Sequence, residues 1–168
     1  MEQFDLRIPW DFIASRVDLS WNDALFGFEN QLLLPAAVVE IATAKLSSNQ
    51  ANADLIELAT SSADAPVYGY IEALAGEEGA PSPDHIARKW LYLSLAWIFE
   101  NRSGLDDPLE IVERVYADFD YPQSIESFVR YMPGSDANPD WTGSPEDRLF
   151  RNWRDFLEAE LAVFGNDK

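Results

Sequence analysis

Pro83-Asp84-His85-Ile86-Ala87-Arg88-Lys89-Trp90-Leu91-Tyr92-Leu93-Ser94-Leu95-Ala96-Trp97-Ile98-Phe99-Glu100-Asn101 reads as one long helix. Ser82, just before it, supplies a side-chain oxygen for the exposed N–H groups of the first turn. Ile86, Trp90, Leu93 and Trp97 form one apolar stripe, and Leu91, Leu95 and Ile98 form a second beside it. A stripe this wide demands burial on more than one side. The segment is therefore expected to be the central helix on which the others pack. Its polar residues gather at the ends: His85, Arg88 and Lys89 at the start, Glu100, Asn101 and Arg102 at the finish.

The flanking sequence carries the same helical punctuation. Pro9 opens Trp10 to Arg16, since proline is tolerated in a first turn where its missing N–H would have no partner. Ser20 precedes Trp21 to Phe26, with Asp23 three residues on, an echo of a capping box. Pro35 opens Ala36 to Leu46, Asp54 to Ala59 is a short helix, and Pro66 opens Val67 to Leu74. Glu77 to Pro83 reads as a loop. Beyond the central helix, Arg102 to Asp107 is a turn, and Pro108 opens a helix with Leu109, Val112, Val115 and Tyr116 inward. Asp118 to Pro122 breaks it, Ser124 to Tyr131 is a short helix, and Pro133 to Gly143 is a loop. Ser144-Pro145-Glu146-Asp147 starts the last helix, whose apolar positions are Leu149, Phe150, Trp153, Phe156, Leu157, Leu161 and Phe164. No period-two alternation stands out. The expected fold is all-α, with about eight or nine helices around the 83–101 segment, in a single domain spanning residues 1–168.

Composition fits a folded chain. Of its 168 residues 47% are hydrophobic, with six tryptophans, so a disordered chain is ruled against despite the charge. There are no cysteines, which excludes disulfides, thiolate metal sites and a cysteine nucleophile and fits a reducing cytoplasm. Met1-Glu2-Gln3-Phe4-Asp5 carries acids where a signal peptide would carry bases. The longest apolar run, Leu91 to Phe99, includes Ser94 and falls well short of the about 20 residues needed to cross a bilayer. A cytoplasmic protein is expected. Thirty acids against 12 bases give a net charge of −18. Such a field repels phosphate backbones and acidic lipids, so neither nucleic acid nor membrane is an expected partner. It serves solubility, or suits a basic protein.

The chemistry is sparse. His85 is the only histidine, no nucleophile elbow accompanies it, and it reads as a surface or helix-end residue. No phosphate-binding loop or dinucleotide fingerprint is present, and no cofactor is expected. In Tyr116-Ala117-Asp118-Phe119-Asp120-Tyr121-Pro122, Asp118 and Asp120 would suit a hard cation. The favoured reading is structural: the two carboxylates close a turn and cap the next helix while Tyr116, Phe119 and Tyr121 fill the core. A full calcium loop, with its glycine and distal glutamate, is missing. Charge is patterned as well. Between Lys45 and Arg88 there is no lysine or arginine, while Asp54, Glu57, Asp64, Glu72, Glu77, Glu78 and Asp84 fall there. Either this is a solvated face over several short helices, or it is a docking surface where charge speeds encounter with a basic protein.

Several strings taken in order carry a family resemblance. They are Val17-Asp18-Leu19-Ser20-Trp21, Arg88-Lys89-Trp90-Leu91-Tyr92, Ala96-Trp97-Ile98-Phe99-Glu100-Asn101-Arg102, and Tyr116 to Pro122 continuing to Phe128-Val129-Arg130-Tyr131-Met132-Pro133. Together they resemble a bacterial family catalogued as domain of unknown function family 2247, from about Ile8 to Phe164. The resemblance implies a bacterial origin and transfers no functional residue. Small acidic bacterial proteins of this kind look like immunity proteins, which neutralise a cognate toxin. The expected function is thus a non-catalytic protein-binding module, of the immunity type, for a basic partner. The alternatives are a carboxylate-based metal protein or enzyme using Asp118 and Asp120, and a self-associating helical scaffold.

Overall fold

The computed structural model describes residues 6–47, 53–60, 67–79, 81–130 and 143–165. Among them every regular element is helical. The α-helices are α1 (Trp10–Ala14), α2 (Trp21–Glu29), α3 (Pro35–Ser47), α4 (Ala53–Ala59), α5 (Tyr68–Glu77), α6 (Pro83–Glu100), α7 (Pro108–Asp118) and α8 (Pro145–Gly165). Short 3-10 helices lie at Arg102–Gly104 and Gln123–Phe128. The protein is all-α, as its sequence leads one to expect.

Most helix starts are set by the residues that the sequence marks. Ser20 and Asp23 form a complete, reciprocal capping box at α2. Asp107 caps α7 by accepting from the Glu110 amide at 3.2 Å, and Ser144 does the same for Asp147 at the start of α8, at 3.1 Å. Ser82 accepts from the His85 amide at 3.4 Å, at the long end for such a bond. Helix α5 runs three residues past Leu74, so Glu77, expected in a loop, is helical. Pro66 lies outside the described residues.

One element differs in kind. The short helix expected over Ser124 to Tyr131 is a 3-10 helix ending at Phe128, with Val129 already extended at ψ 127°. The segment is a connector between α7 and α8, a place where 3-10 turns are frequent. Tyr131 and most of the Pro133 to Gly143 loop lie outside the described residues.

Two helices close through left-handed residues. After α2, Gln31 stands at φ 59°, while the amides of Leu32 and Gln31 donate to Gly27 at 2.7 Å and Phe28 at 3.2 Å. After α7, Asp120 stands at φ 62°, while the amides of Tyr121 and Asp120 donate to Tyr116 at 2.8 Å and Ala117 at 3.2 Å. Each closure satisfies carbonyls that the helix end would leave unpaired.

The chain divides into two compact units, one through Trp90 and the other from Leu91. In the first, α2 packs on α5, α3 on α4, and α4 on α5. Ile13, Val38, Ile41, Leu58 and Ile71 are fully buried there. Trp90 is buried too, and its indole N–H donates to the Asp23 carbonyl at 2.8 Å. The ring crosses α2 at Gly27, where a Cβ would lie 2.3 Å from the indole carbon Cζ2. Glycine is required there because the ring occupies the space of any side chain.

The second unit is an aromatic core. Trp153 stacks on Phe128 at 6.1 Å and meets the edge of Phe99 at 5.0 Å, while Tyr92 stacks on Phe164 at 5.6 Å. The Asn152 side-chain amide donates to the Ser127 carbonyl at 2.9 Å and ties α8 to the 3-10 helix. Arg130 bridges Glu113 at 2.8 Å and Asp107 at 3.0 Å. These carboxylates raise its already high pKa, the Glu113 hydrogen bond most, against the opposing effect of burial. The apolar stripe of α8 is imperfect: Leu161 is 45% exposed, while Glu160 is buried. In α6 the residues from Lys89 to Ala96 are all buried, as the double stripe requires.

Candidate protein-binding surface

The stretch without lysine or arginine falls in the first unit. Glu57 is exposed on α4, and Glu72 and Glu77 are exposed on α5, which packs against α4. Asp84 is exposed in the first turn of α6, where a carboxylate favours the helix dipole. Asp54 belongs to α4 by its backbone, and Asp64 lies outside the described residues. Two adjacent helices therefore present carboxylates to solvent.

Glu78 has a different task. Its carboxylate accepts from the Trp21 amide at 2.6 Å, from the Asn22 amide at 3.0 Å and from the Asn22 side chain at 2.9 Å. These amides belong to the first turn of α2, so the end of α5 caps a helix far away in sequence. Glu78, one of the acids of the stretch, is exposed, and its carboxylate accepts these hydrogen bonds from α2.

Apolar side chains stand among the acids. Ile56 on α4 is 48% exposed, and Tyr68 on α5 is 44% exposed. The Tyr68 ring tilts against Phe28 at 6.3 Å, and its hydroxyl donates to Glu29 at 3.1 Å. That hydrogen bond, with the nearby charges of Glu29 and Glu72, pushes the phenol pKa above its ordinary value. Glu29, which precedes the stretch in sequence, thus stands with Glu72 beside Tyr68. The spacing of Tyr68 and Glu72, one helical turn, is legible in sequence. The arrival of Glu29 from α2 is not.

The other sequence candidates lie elsewhere. His85 is exposed near the start of α6, in keeping with a surface histidine. Asp118 and Asp120 are exposed around the closure of α7. The turn there is closed by the backbone amides of Asp120 and Tyr121, with Asp118 the last residue of α7. The Asp118 and Asp120 carboxylates do not cap the next helix, whose N-cap is Pro122 with no side-chain hydrogen bond. Tyr116 is buried, but Tyr121 is 60% exposed and is no core residue. Among the described residues no group of three or more histidines or acids is placed to hold a metal ion. An open groove of about 270 Å³ lies beside α1 and α3, between Trp10, Asp11, Leu34 and Glu40, and uses none of the predicted residues. Among the described residues no helix is long and apolar enough to cross a membrane.

Fold and surface define an acidic all-helical protein with carboxylates arrayed on short neighbouring helices. The chain belongs to the family described as an uncharacterised protein conserved in bacteria (DUF2247), which it matches over residues 10–161. No curated protein and no solved structure matches it.

Proposed function

We propose that this bacterial protein is a non-catalytic binding module for a basic protein, of the immunity type that neutralises a toxin. The observation that carries this reading is the run of exposed acids, Glu57, Glu72, Glu77 and Asp84, in a stretch without lysine or arginine. Exposed Tyr68 and Ile56 among them supply the apolar contacts that charge alone lacks. Tyrosine is enriched at the energetic centres of interfaces, while surrounding charge steers encounter and selects the partner.

The test is binding of the purified chain to the products of adjacent genes, followed by calorimetry. A basic neighbour should bind, lose its own activity, and dissociate more readily at high salt. Tyr68→Ala should weaken the complex by about 2 kcal/mol if it is an anchor. A combined Glu57→Gln, Glu72→Gln, Glu77→Gln variant should chiefly slow association. If no neighbouring product binds, or binding ignores both variants, the reading fails.

A further inference from the structure

The groove beside α1 and α3 lies in the first unit and shares no residue with the acidic helices α4 and α5. Backbone hydrogen bonds fix its position. The Ile8 amide donates to the Leu32 carbonyl at 3.0 Å, which holds the approach to α1 against the link from α2 to α3. The Ile13 amide donates to the Pro9 carbonyl at 3.3 Å and starts α1 over Trp10 and Asp11. Helix α1 packs on α3. Trp10 and Asp11 thereby line the same groove as Glu40, which comes from the middle of α3.

The groove is open to solvent and has a volume of about 270 Å³. Its buried lining is apolar, Ile8 and Ala37, and Leu34 beside them is 47% exposed. Trp10 is half-buried, so its ring is held by the fold and still reachable. Asp11 and Glu40 are exposed, and among the described residues neither carboxylate has a hydrogen-bond or ion-pair partner. Arg7 lines the groove too, which leaves two acids against one base. A negative groove with apolar walls and an indole suits a cation on an alkyl stem. The stem covers apolar surface while the head meets the carboxylates and the ring. A guanidinium suits it best, since it can stack on the indole while donating to a carboxylate. Pockets that enclose a free drug-sized ligand run to about 300–1,000 Å³. This smaller, open groove holds one side chain and leaves the backbone that carries it in solvent.

We infer that the groove lined by Trp10, Asp11 and Glu40 takes an arginine side chain of a protein partner. The inference goes beyond the reading of the α4 and α5 surface and does not depend on it.

The probe is the end-blocked peptide Gly-Gly-Arg-Gly-Gly, added at millimolar concentration to ¹⁵N-labelled protein. The Trp10 indole N–H signal, identified with Trp10→Phe, should shift saturably. Peptides with norleucine or glutamate in place of the arginine should shift it less. Asp11→Asn with Glu40→Gln should lower the peptide affinity about threefold or more, as the loss of two exposed ion pairs would. Trp10→Ala, followed at the backbone amides of Ala37 and Glu40, should lower it about two- to fivefold, the range of an exposed cation–π contact. If Trp10→Ala unfolds the chain, the carboxylate variant carries the test. The combined glutamine variant of Glu57, Glu72 and Glu77 should leave the Trp10 shift intact, separating this site from the other surface. The inference is overturned if the arginine peptide leaves Trp10 unmoved, or if the Asp11, Glu40 variant binds as tightly as the parent. It is overturned equally if the norleucine peptide binds as well, which marks a purely apolar site, or if the glutamate peptide binds more tightly, which makes Arg7 the contact. A Trp10 shift with butylguanidinium but not with the peptide would also overturn it, in favour of a small free cation. So would a shift that follows protein concentration without peptide, which marks a second copy as the occupant.

Discussion

At the scale of single residues, Lys89 has the largest consequence. It falls among the polar residues at the start of the long helix, yet its side chain is only 10% exposed, and that of Asp23 only 3%. The ammonium donates to the Asp23 carboxylate at 2.6 Å and to the Asp18 carbonyl at 3.0 Å. The same carboxylate oxygen accepts from the Ser20 amide at 2.9 Å, and the Asp23 carbonyl accepts from Trp90. One aspartate thus joins the α2 cap to the first half of α6. Two charges taken from water recover their desolvation cost only through such geometry, and removing one leaves the other stranded. Lys89→Met is expected to cost about 3–5 kcal/mol in urea unfolding. Adding Asp23→Asn to it should cost less than the two single changes summed. Single losses that add without coupling would show that the pair is not energetically linked.

At the scale of elements, α2 shows how a helix can be capped from two sources. Ser20 takes the Asp23 amide from within the sequence, and Glu78 takes the Trp21 and Asn22 amides from the end of α5. The carboxylate also sits at the positive end of the helix dipole. Glu78→Ala should destabilise the chain by about 1–2 kcal/mol, the range for a lost helix cap. It should also speed hydrogen exchange at the Trp21 and Asn22 amides ahead of the rest of α2. Uniform exchange along α2 would mean that the carboxylate does not hold that turn. The element boundaries were largely legible because proline, serine and aspartate act locally at helix starts. The 3-10 helix at Gln123–Phe128 was not, because an apolar pattern that short does not distinguish the two helix types.

At the scale of the whole molecule, net charge dominates. With 30 acids and 12 bases the folded chain carries like charges closer together than the unfolded one does. Raising ionic strength from about 0.01 M to about 0.15 M shortens the screening length from about 30 Å to about 8 Å. Thermal stability should rise over that range, on the order of 1 kcal/mol or about 2–4 °C. The buried Lys89–Asp23 pair is screened little and should not offset the gain. A melting temperature that falls with salt would mean that exposed ion pairs outweigh the repulsion.

The sequence by itself determined the all-α class, the proline and serine helix starts, and the buried face of α6, because capping and periodicity act within a turn or two of the chain. It also located the acidic stretch, since charge is a property of composition. Only the tertiary structure decided which groups the charged side chains meet. It buried Lys89 against Asp23, set Glu78 to cap α2, brought Glu29 to Tyr68, and turned Tyr121 outward on a left-handed backbone. Each depends on a neighbour brought close by packing or on a backbone angle set by helix closure, and neither is written in the local pattern of residue types.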